Sequence, residues 1–477
     1  MAHLQPHPAT AKQMVALGFP GQRVDDWPEK GIAKLGELLK KYRSLQVFLD
    51  VCVKCGACAD KCHYYLGTGD VHNMPVQRAE LMRRVYRRYF TLAGRLLPGV
   101  VRASAFDEAT LQQWITYFHQ CSQCRRCSVF CPFGIDTAEI SMAAREILNT
   151  IGVGQKYSIE VIGKVHEVGN NLGIPQLPLR HTLAFLEAEL LDDTGYTVRL
   201  PLDEVGADVL LVVPSAEFFS EPHLQSLVGY AKVFHQAGIS FTLSSVATEA
   251  GNFGLFIGSY EHKQKMAQRI ADQARALRVK RVVVGECGHA WRVAYNFWNT
   301  LVGPFDFLDP RHPVPQHICE LTYDLWQRGG LILDREANAR YIVTLHDSCN
   351  VARASRMGDR PGGQFAIPRA LIRAVCARFV EMDPATTHDK TFCCGAGGGT
   401  LTDELMELRV KGALPRIVAL HAVMQRDKVN FMATLCAICK GQFTAVLPRY
   451  GIPMETVGGV HQLVSNAIRL GTNAGVV

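Results

Sequence analysis

The sequence is organised around an adjacent cysteine pair and a glycine run at residues 392–399, which read Phe392-Cys393-Cys394-Gly395-Ala396-Gly397-Gly398-Gly399. Two adjacent thiols cannot both bind one ordinary four-cysteine cubane without strain, but they can hold neighbouring iron atoms of a distorted cluster. The glycines permit positive φ angles and let backbone N–H groups come close to sulfur. The alternative interpretation of such a pair is a buried structural thiol or a vicinal disulfide.

Two apolar segments flank this stretch and each ends in cysteine. Residues 341–349 predict a buried strand that ends at Cys349, and residues 429–436 predict another that ends at Cys436. Cys436 also forms a CxxC pair with Cys439. Together with the adjacent pair, these residues supply five thiols from strand ends, which is a soft donor set suited to iron–sulfur ligation.

Two cysteine quartets precede these segments, at residues 52–62 and 121–131, and both have the spacing C-x-x-C-x-x-C-x-x-x-C. This spacing is typical of two-cluster ferredoxins of the bacterial type, in which the fourth cysteine of each run ligates the other cluster. We therefore predict two cubane [4Fe-4S] clusters, with zinc as the alternative. His63 stands where proline is usual, which we expect to change local polarity and not ligation. The predicted ligands are Cys52, Cys55, Cys58 and Cys131 for one cluster and Cys62, Cys121, Cys124 and Cys127 for the other.

Composition indicates an ordinary soluble chain of several domains, with 477 residues of which 48% are hydrophobic and 20% are charged. The net charge of +7 is mild for this length, and we expect no nucleic-acid partner. Sixteen cysteines, most of them in three clusters, indicate metal ligands in a reducing compartment. We expect no signal peptide and no membrane span, because no run of 18 apolar residues occurs.

The order of predicted elements indicates four regions. Residues 1–45 predict an N-terminal arm with a short amphipathic helix at 31–42, and residues 46–170 predict an α-helical two-cluster ferredoxin-like domain. A helix at 78–90 bears Arg83, Arg84, Arg87 and Arg88, which form either a solvated basic face or a surface for an acidic partner or anionic lipid. From residue 207 onward strands alternate with helices, which predicts parallel βαβ units.

These βαβ units form a weak internal repeat, with residues 171–335 as the first copy and residues 336–477 as the second. Aligning strand 209–213 with strand 342–346 puts Ser215 where Cys349 lies, and aligns segment 286–290 with 435–439. Of the aligned cysteines the first copy thus keeps Cys287, and it is expected to build one face of the site. The predicted fold class is α/β with an inserted α-helical ferredoxin-like domain and two βαβ repeats.

Several motifs carry a resemblance to a known family. They are Cys62-His63-Tyr64-Tyr65-Leu66-Gly67-Thr68-Gly69, Asn73-Met74-Pro75, Gly285-Glu286-Cys287-Gly288-His289-Ala290 and Val457-Gly458-Gly459-Val460-His461. With the two quartets and the cysteine–glycine stretch, the chain resembles the HdrD-like catalytic subunits of heterodisulfide-reductase type, the CCG-domain family. It is most similar to their DsrK-type members, the iron–sulfur subunits of the membrane-bound DsrMKJOP complex. The likeness runs from about residue 46 to 470.

The resemblance implies a noncubane [4Fe-4S] cluster in the second CCG-type repeat. It implies thiol–disulfide chemistry on a disulfide or trisulfide of the small sulfur-carrier protein DsrC. Electrons would pass to or from a DsrM-like membrane cytochrome b subunit and the quinone pool, with further complex subunits present. The chain would then be cytoplasmic and peripheral on the inner face of the membrane. The implied ligands of the noncubane cluster are Cys349, Cys393, Cys394, Cys436 and Cys439.

Disulfide cleavage needs two electrons, whereas each cubane carries one, and it also needs protons. His289 and His346 are candidate proton donors because imidazole titrates near neutral pH, and Glu286 is a third candidate. Each could instead be an ordinary hydrogen-bonded core residue. Cys287 is a candidate ligand, a substrate-facing thiol or an inert remnant of the repeat.

Two other functions fit the motifs. One is the iron–sulfur subunit of a lactate, glycolate or glycerol-3-phosphate dehydrogenase, in which a flavin on another chain oxidises the substrate. The other is a pure electron-transfer module. Segment 285–290 and the degenerate first copy favour the disulfide oxidoreductase.

Overall fold

The computed structural model describes residues 4–249, 252–312 and 314–471. The ends of the predicted arm and of the predicted second repeat, residues 1–3 and 472–477, lie outside this range, as do residues 250–251 and 313. The chain forms two compact units. The first, here the ferredoxin unit, contains the residues up to His166 with Phe253–His262 and Phe392–Pro415. The second, here the α/β unit, contains Glu167–Asn252, Lys263–Thr391 and the residues from Arg416 onward.

Helices of the first 168 residues have clear start signals. Pro75 occupies the first position of α5, where its missing N–H costs nothing, and Asp107 and Asp136 cap α7 and α9 by accepting backbone hydrogen bonds. The helices are α1 (Ala11–Leu17), α2 (Trp27–Lys41), α3 (Arg43–Asp50), α4 (His63–Thr68), α5 (Pro75–Phe90), α6 (Leu92–Leu96), α7 (Glu108–His119), α8 (Arg126–Val129), α9 (Thr137–Thr150) and α10 (Lys156–Val168).

The core of the ferredoxin unit is built from one face of each long helix. Leu35 and Leu38 of α2 are buried with Val85 of α5, Trp114 of α7 and Ile147 of α9. The predicted helix at 31–42 therefore exists but starts earlier, at Trp27. Its apolar side is part of this core, so the predicted N-terminal arm contributes to the fold of the ferredoxin unit.

Strands and helices alternate in the rest of the chain. In chain order they are α11 (Gln176–Thr194), β1 (Val209–Val212), α12 (His223–Gln236), β2 (Phe241–Thr242), α13 (Asn252–Phe256), α14 (Tyr260–Ala276), β3 (Arg281–Val284), α15 (Gly288–Val302), β4 (Gln316–His317), α16 (Ile318–Gln327), β5 (Ile342–His346), α17 (Cys349–Ala354), α18 (Gly363–Val375), β6 (Arg378–Phe379), α19 (Met406–Asp427), β7 (Phe431–Thr434), α20 (Ala437–Val446), β8 (Val457–Gly459) and α21 (Val460–Ala467).

The eight strands form two parallel sheets of four strands each. Their orders are β2-β1-β3-β4 and β6-β5-β7-β8, so the second sheet repeats the topology of the first. Central strands β1, β3 and β5 are rich in valine, leucine and isoleucine, and β7 reads Phe431-Met432-Ala433-Thr434 and is buried throughout, as expected for strands covered on both faces. The α/β architecture and the two βαβ repeats are thereby confirmed.

Parallel sheets place their functional groups at the carboxyl ends of the strands. The segments that follow β1, β3, β5 and β7 begin near Ser215, Glu286, Cys349 and Cys436. These are the positions that the sequence alignment of the two copies pairs with one another. Among the described helices, none is long and apolar enough to cross a bilayer.

Candidate functional site

The first predicted cluster site is a cavity whose wall carries Cys52, Cys55, Cys58 and Cys131. Lys54 and Gly56 have φ angles of 57° and 80°, which turn the backbone tightly between the first three cysteines. Cys127 also reaches this wall. Five thiols therefore line this cavity, and the four predicted ligands among them, three from the first quartet and Cys131 from the second, fit the donor set of a cubane.

The second predicted site is a cavity lined by Cys62, Cys121, Cys124 and Cys127. Here one cysteine, Cys62, comes from the first quartet and the other three come from the second. Gln123 has a φ angle of 55°, and its backbone N–H lies 3.4 Å from the Cys121 sulfur. The exchange of the fourth cysteine therefore has the geometry that ferredoxin spacing predicts.

Helix α5 places one buried guanidinium beside each cavity. Arg83 lines the first cavity, Arg78 lines the second, and each is only 2% exposed. Although burial opposes it, the thiols of Cys121 and Cys62 raise the pKa of Arg78, so its positive charge is retained. The predicted basic helix is therefore not a uniformly solvated face, because two of its arginines point charge at the cysteine sites.

The cysteine–glycine stretch lies against the second cavity. Donor atoms of His63, Cys124 and Cys393 all lie within 4.8 Å of one another. Two contacts fix the His63 ring: Nδ1 lies 2.9 Å from the Gly412 carbonyl oxygen, and Nε2 lies 2.7 Å from Ser122 Oγ. Cys393 is thus adjacent to a predicted cubane ligand, and His63 fills the position that proline usually occupies.

Two buried side chains hold the glycine run in place. The Tyr64 hydroxyl donates to the Gly395 carbonyl at 3.0 Å and contacts Thr400 Oγ1 at 2.9 Å. Arg145 donates to the carbonyls of Gly398 at 2.6 Å and Cys121 at 2.7 Å. A Cβ at Gly398 would lie 2.7 Å from the Cys121 carbonyl oxygen, so only glycine fits there. Sequence reasoning missed Arg145, which belongs to no motif.

The α/β unit places its cysteines at helix N-termini. Cys349 is the first residue of α17, Cys436 is the N-cap of α20, and Cys439 lies in the first turn of α20. Cys287 is the N-cap of α15, with φ and ψ of −135° and 104°, close to the −144° and 123° of Cys436. The partial positive charge of a helix N-terminus favours the thiolate form of Cys436.

Cys287 and His289 of the first repeat meet Cys436 of the second. The Cys287 thiol donates a hydrogen bond to the Cys436 sulfur, and His289 Nδ1 lies 3.7 Å from the same sulfur. Hydrogen bonds from Cys287, then Cys439, and also from His289 hold the pKa of Cys436 well below its usual range. The same hydrogen bond, together with burial, raises the pKa of Cys287. This arrangement combines a thiolate, a thiol and an imidazole.

Glu286 lies in a separate buried network. Its Oε1 accepts from the backbone N–H of His461 and faces His461 Nδ1, both at 2.8 Å, and its Oε2 accepts from Ser226 and lies 3.5 Å from Lys440 Nζ. Burial opposes ionisation, but the His461 hydrogen bond and the Lys440 charge lower the pKa of Glu286 to about 2. A carboxylate that is ionised and fully hydrogen-bonded suits a structural role better than proton donation.

The other predicted site residues, His346 and the five predicted ligands of the noncubane cluster, are also buried. His346 ends β5 and packs edge-on against the ring of Phe443 at 5.0 Å. Its role as a proton donor stays a prediction. Of the five predicted noncubane ligands, Cys393 and Cys394 belong to the ferredoxin unit and Cys349, Cys436 and Cys439 to the α/β unit.

Comparisons with known proteins cover both cysteine regions. Residues 48–135 match the family model of the 4Fe-4S dicluster domain, and residues 343–444 match that of the cysteine-rich domain, CCG. The first match contains both quartets, and the second contains all five of the other clustered cysteines. The matches confirm that this is an iron–sulfur protein with a CCG domain.

The proteins that this chain is similar to are subunits of oxidoreductases. The chain is 39% identical, over 94% of its length and 84% of the relative, to the Hdr-like menaquinol oxidoreductase iron–sulfur subunit of Archaeoglobus profundus. It is 40% identical, over 93% of its length and 84% of the relative, to an iron–sulfur subunit of the same name from Archaeoglobus fulgidus. A 24% identity over 82% of the chain and 87% of the relative links it to a component of the dihydromethanophenazine:CoB–CoM heterodisulfide reductase of Methanosarcina barkeri.

Proposed function

The chain belongs to the family of Hdr-like menaquinol oxidoreductase iron–sulfur subunits, and we propose that it interconverts a protein-borne disulfide or trisulfide with thiols. The proposed substrate is a small sulfur-carrier protein of DsrC type. The proposed redox partner is a DsrM-like membrane cytochrome b subunit that exchanges electrons with the quinone pool. In this proposal the chain is a DsrK-type subunit, cytoplasmic and attached to the inner face of the membrane through its partner subunits.

The observation that carries the proposal is the meeting of Cys287 and His289 with Cys436. Reducing one disulfide consumes two electrons and two protons and yields two thiols. A site for this reaction needs a place for sulfur and a proton donor next to it. Cys436 supplies a thiolate at a helix N-terminus, and His289 supplies an imidazole within reach of the same sulfur.

Three clusters are part of the proposal. The two quartets would hold cubane [4Fe-4S] clusters in the two cavities of the ferredoxin unit. The noncubane [4Fe-4S] cluster is assigned to Cys349, Cys393, Cys394, Cys436 and Cys439, which is supported by their spacing and by the cysteine-rich domain match over residues 343–444. When bound, the clusters supply the one-electron steps that a side chain cannot perform.

The chain's own residues then have defined tasks. Cys393 lies next to Cys124, so its segment adjoins the second cubane site. The guanidinium of Arg78 favours negative charge at that site, and Arg83 does the same at the other cavity. In this proposal His289 carries the proton, because its Nδ1 lies 3.7 Å from the Cys436 sulfur. Burial of Cys393, His289 and Cys436 keeps water away from the sulfur chemistry.

The test is Cys394→Ala in the full iron-loaded chain. The expected result is loss of reduction of a DsrC-type protein disulfide, with both cubane signals retained in electron paramagnetic resonance. Cys376→Ala is the matched control, because Cys376 is equally buried, is outside every motif, and has a pKa that burial raises to about 12. If the Cys394 variant reduces the disulfide at the wild-type rate, the proposal is wrong. If the chain accepts electrons only from a flavoprotein that oxidises lactate, glycolate or glycerol 3-phosphate, it is the iron–sulfur subunit of such a dehydrogenase instead.

A further inference from the structure

The connection between α5 and α7 exposes an unusual number of large apolar side chains. Leu92, Leu96, Leu97 and Val100 are 74%, 68%, 58% and 79% exposed. Scattered exposed apolar residues are normal on a protein surface, but four within nine residues form a patch. We name residues 91–102 the leucine loop.

The leucine loop is a built structure and not a frayed end. Thr91 accepts from the Gly94 backbone N–H at 3.1 Å and donates to the Arg87 carbonyl at 2.9 Å. Leu97 N–H donates to the Ala93 carbonyl at 2.8 Å. A Cβ at Gly94 would lie 1.9 Å from the Arg87 carbonyl oxygen, so the close contact of the loop with α5 requires glycine. The fold therefore fixes the apolar side chains where they are.

Positive charge surrounds this apolar patch. Residues 81–106 contain six arginines and no acidic residue. Arg88 donates to the Gly94 carbonyl, and Arg95 donates to the Tyr89 carbonyl at 2.6 Å. Hydrogen bonds to carbonyls hold these guanidinium groups on the loop but do not neutralise their charge. Arg102 is exposed, and Arg87 is paired with Glu80.

We propose that the leucine loop docks on an anionic lipid bilayer. Leu92, Leu96, Leu97 and Val100 would enter the headgroup region, while Arg88, Arg95 and Arg102 contact lipid phosphates. Segments that bind at a membrane interface typically combine aliphatic side chains with basic side chains around them. An acidic protein surface would match the arginines but would leave the aliphatic groups in contact with charge. The proposal does not depend on the disulfide chemistry, because lipid binding can be measured without turnover.

The test is flotation of the full iron-loaded chain with vesicles. Wild type is expected to float with phosphatidylglycerol–phosphatidylcholine vesicles and not with phosphatidylcholine alone, and high salt is expected to weaken the binding. The double variant Leu96→Ser/Leu97→Ser should bind roughly tenfold or more weakly, because two aliphatic side chains that would be buried in the bilayer are lost. The double variant Arg95→Gln/Arg102→Gln should lose the preference for anionic lipid.

The matched control is Leu177→Ser/Phe185→Ser, because these side chains on α11 are 63% and 61% exposed but lie outside the leucine loop. It should float like wild type. Iron content and circular dichroism verify that each variant is folded. Failure of wild type to bind anionic vesicles, or unchanged binding by the serine variant of the loop, would overturn the proposal. If the serine variant of the loop binds vesicles like wild type but no longer co-purifies with a membrane subunit, the loop binds a protein partner instead.

Discussion

His289 Nδ1 lies 3.7 Å from the sulfur of Cys436, although the two residues belong to different repeats of the α/β unit. The first repeat has lost the other clustered cysteines, yet it delivers an imidazole and the Cys287 thiol to the cysteine of the second. A purely structural remnant has no need of these groups at that place. The asymmetry of the repeats supports the proposed chemistry at Cys436.

Cys287→Ser is expected to slow disulfide turnover by roughly tenfold or more, because serine cannot supply a nucleophilic or hydrogen-bonding thiol to sulfur. Iron content should stay at the wild-type level. The measurement is the steady-state rate together with iron per chain, with Cys376→Ser as the control for a buried thiol outside the site. Wild-type turnover would make Cys287 a remnant, whereas a loss of iron would make it a ligand.

His289→Gln is expected to lower kcat by about a hundredfold, the usual worth of a positioned general acid or base, and to alter the pH profile. Glutamine keeps hydrogen-bonding capacity but does not titrate near neutrality. The measurement is kcat from about pH 5.5 to about pH 9, a range that brackets imidazole titration, at constant iron content. An unchanged pH profile would remove His289 as the proton donor.

Glu286→Gln separates a structural carboxylate from a catalytic one. Removing its charge leaves Lys440 with Glu217, 3.4 Å away, as its remaining carboxylate partner, and burial raises the pKa of Glu217 to about 8. Breaking a buried pair costs about 3 kcal/mol. We expect a lower denaturation midpoint with an unaltered pH profile of turnover. Because the pKa of Glu286 lies below its ordinary value, its contribution to stability is present above pH 4.5 and is lost as the pH falls toward about 2. A changed pH profile at full stability would restore Glu286 as a proton donor.

Cysteines of both quartets line each of the two cavities, as the spacing predicts, because the tight turns within a quartet are a local property of the chain. That these cysteines hold two cubanes stays a prediction. The strands were also predictable from buried apolar runs, and Arg281–Val284 has the expected bounds, whereas the strand predicted over 341–349 ends at His346 and Cys349 begins α17. Arg145 was not predictable, because its partners are backbone carbonyls of segments distant in sequence. The burial of Arg78 and Arg83 was also missed, since a run of arginines on a helix ordinarily indicates a solvated face.

Arg78→Gln and Arg83→Gln are expected to lower the reduction potential of one cubane each. Each variant removes a buried positive charge beside one cysteine cavity, and a loss of about 1.4 kcal/mol corresponds to about 60 mV for a one-electron couple. Redox titration monitored by electron paramagnetic resonance distinguishes the two cubanes. Arg84→Gln, on the same helix but partly exposed, is the control. Equal shifts of both cubanes in either variant would contradict the assignment.

Iron analysis tests the number of clusters. The full chain should contain about twelve irons, from three four-iron clusters. Removal of Cys393 and Cys394 together should lower this to about eight without loss of the cubane signals. Wild-type protein with about eight irons and intact thiols would eliminate the third cluster.

The central claim is that a disulfide reacts at the cysteine-rich domain, and one spectroscopic measurement addresses it most directly. The electron paramagnetic resonance spectrum of the partly reduced chain is recorded before and after addition of a DsrC-type protein disulfide, with Cys394→Ala in parallel. The account predicts that the disulfide changes a signal distinct from the two cubanes in wild type, and that this change is absent in the variant. A spectrum that the disulfide leaves unchanged while both cubanes remain reducible would contradict it.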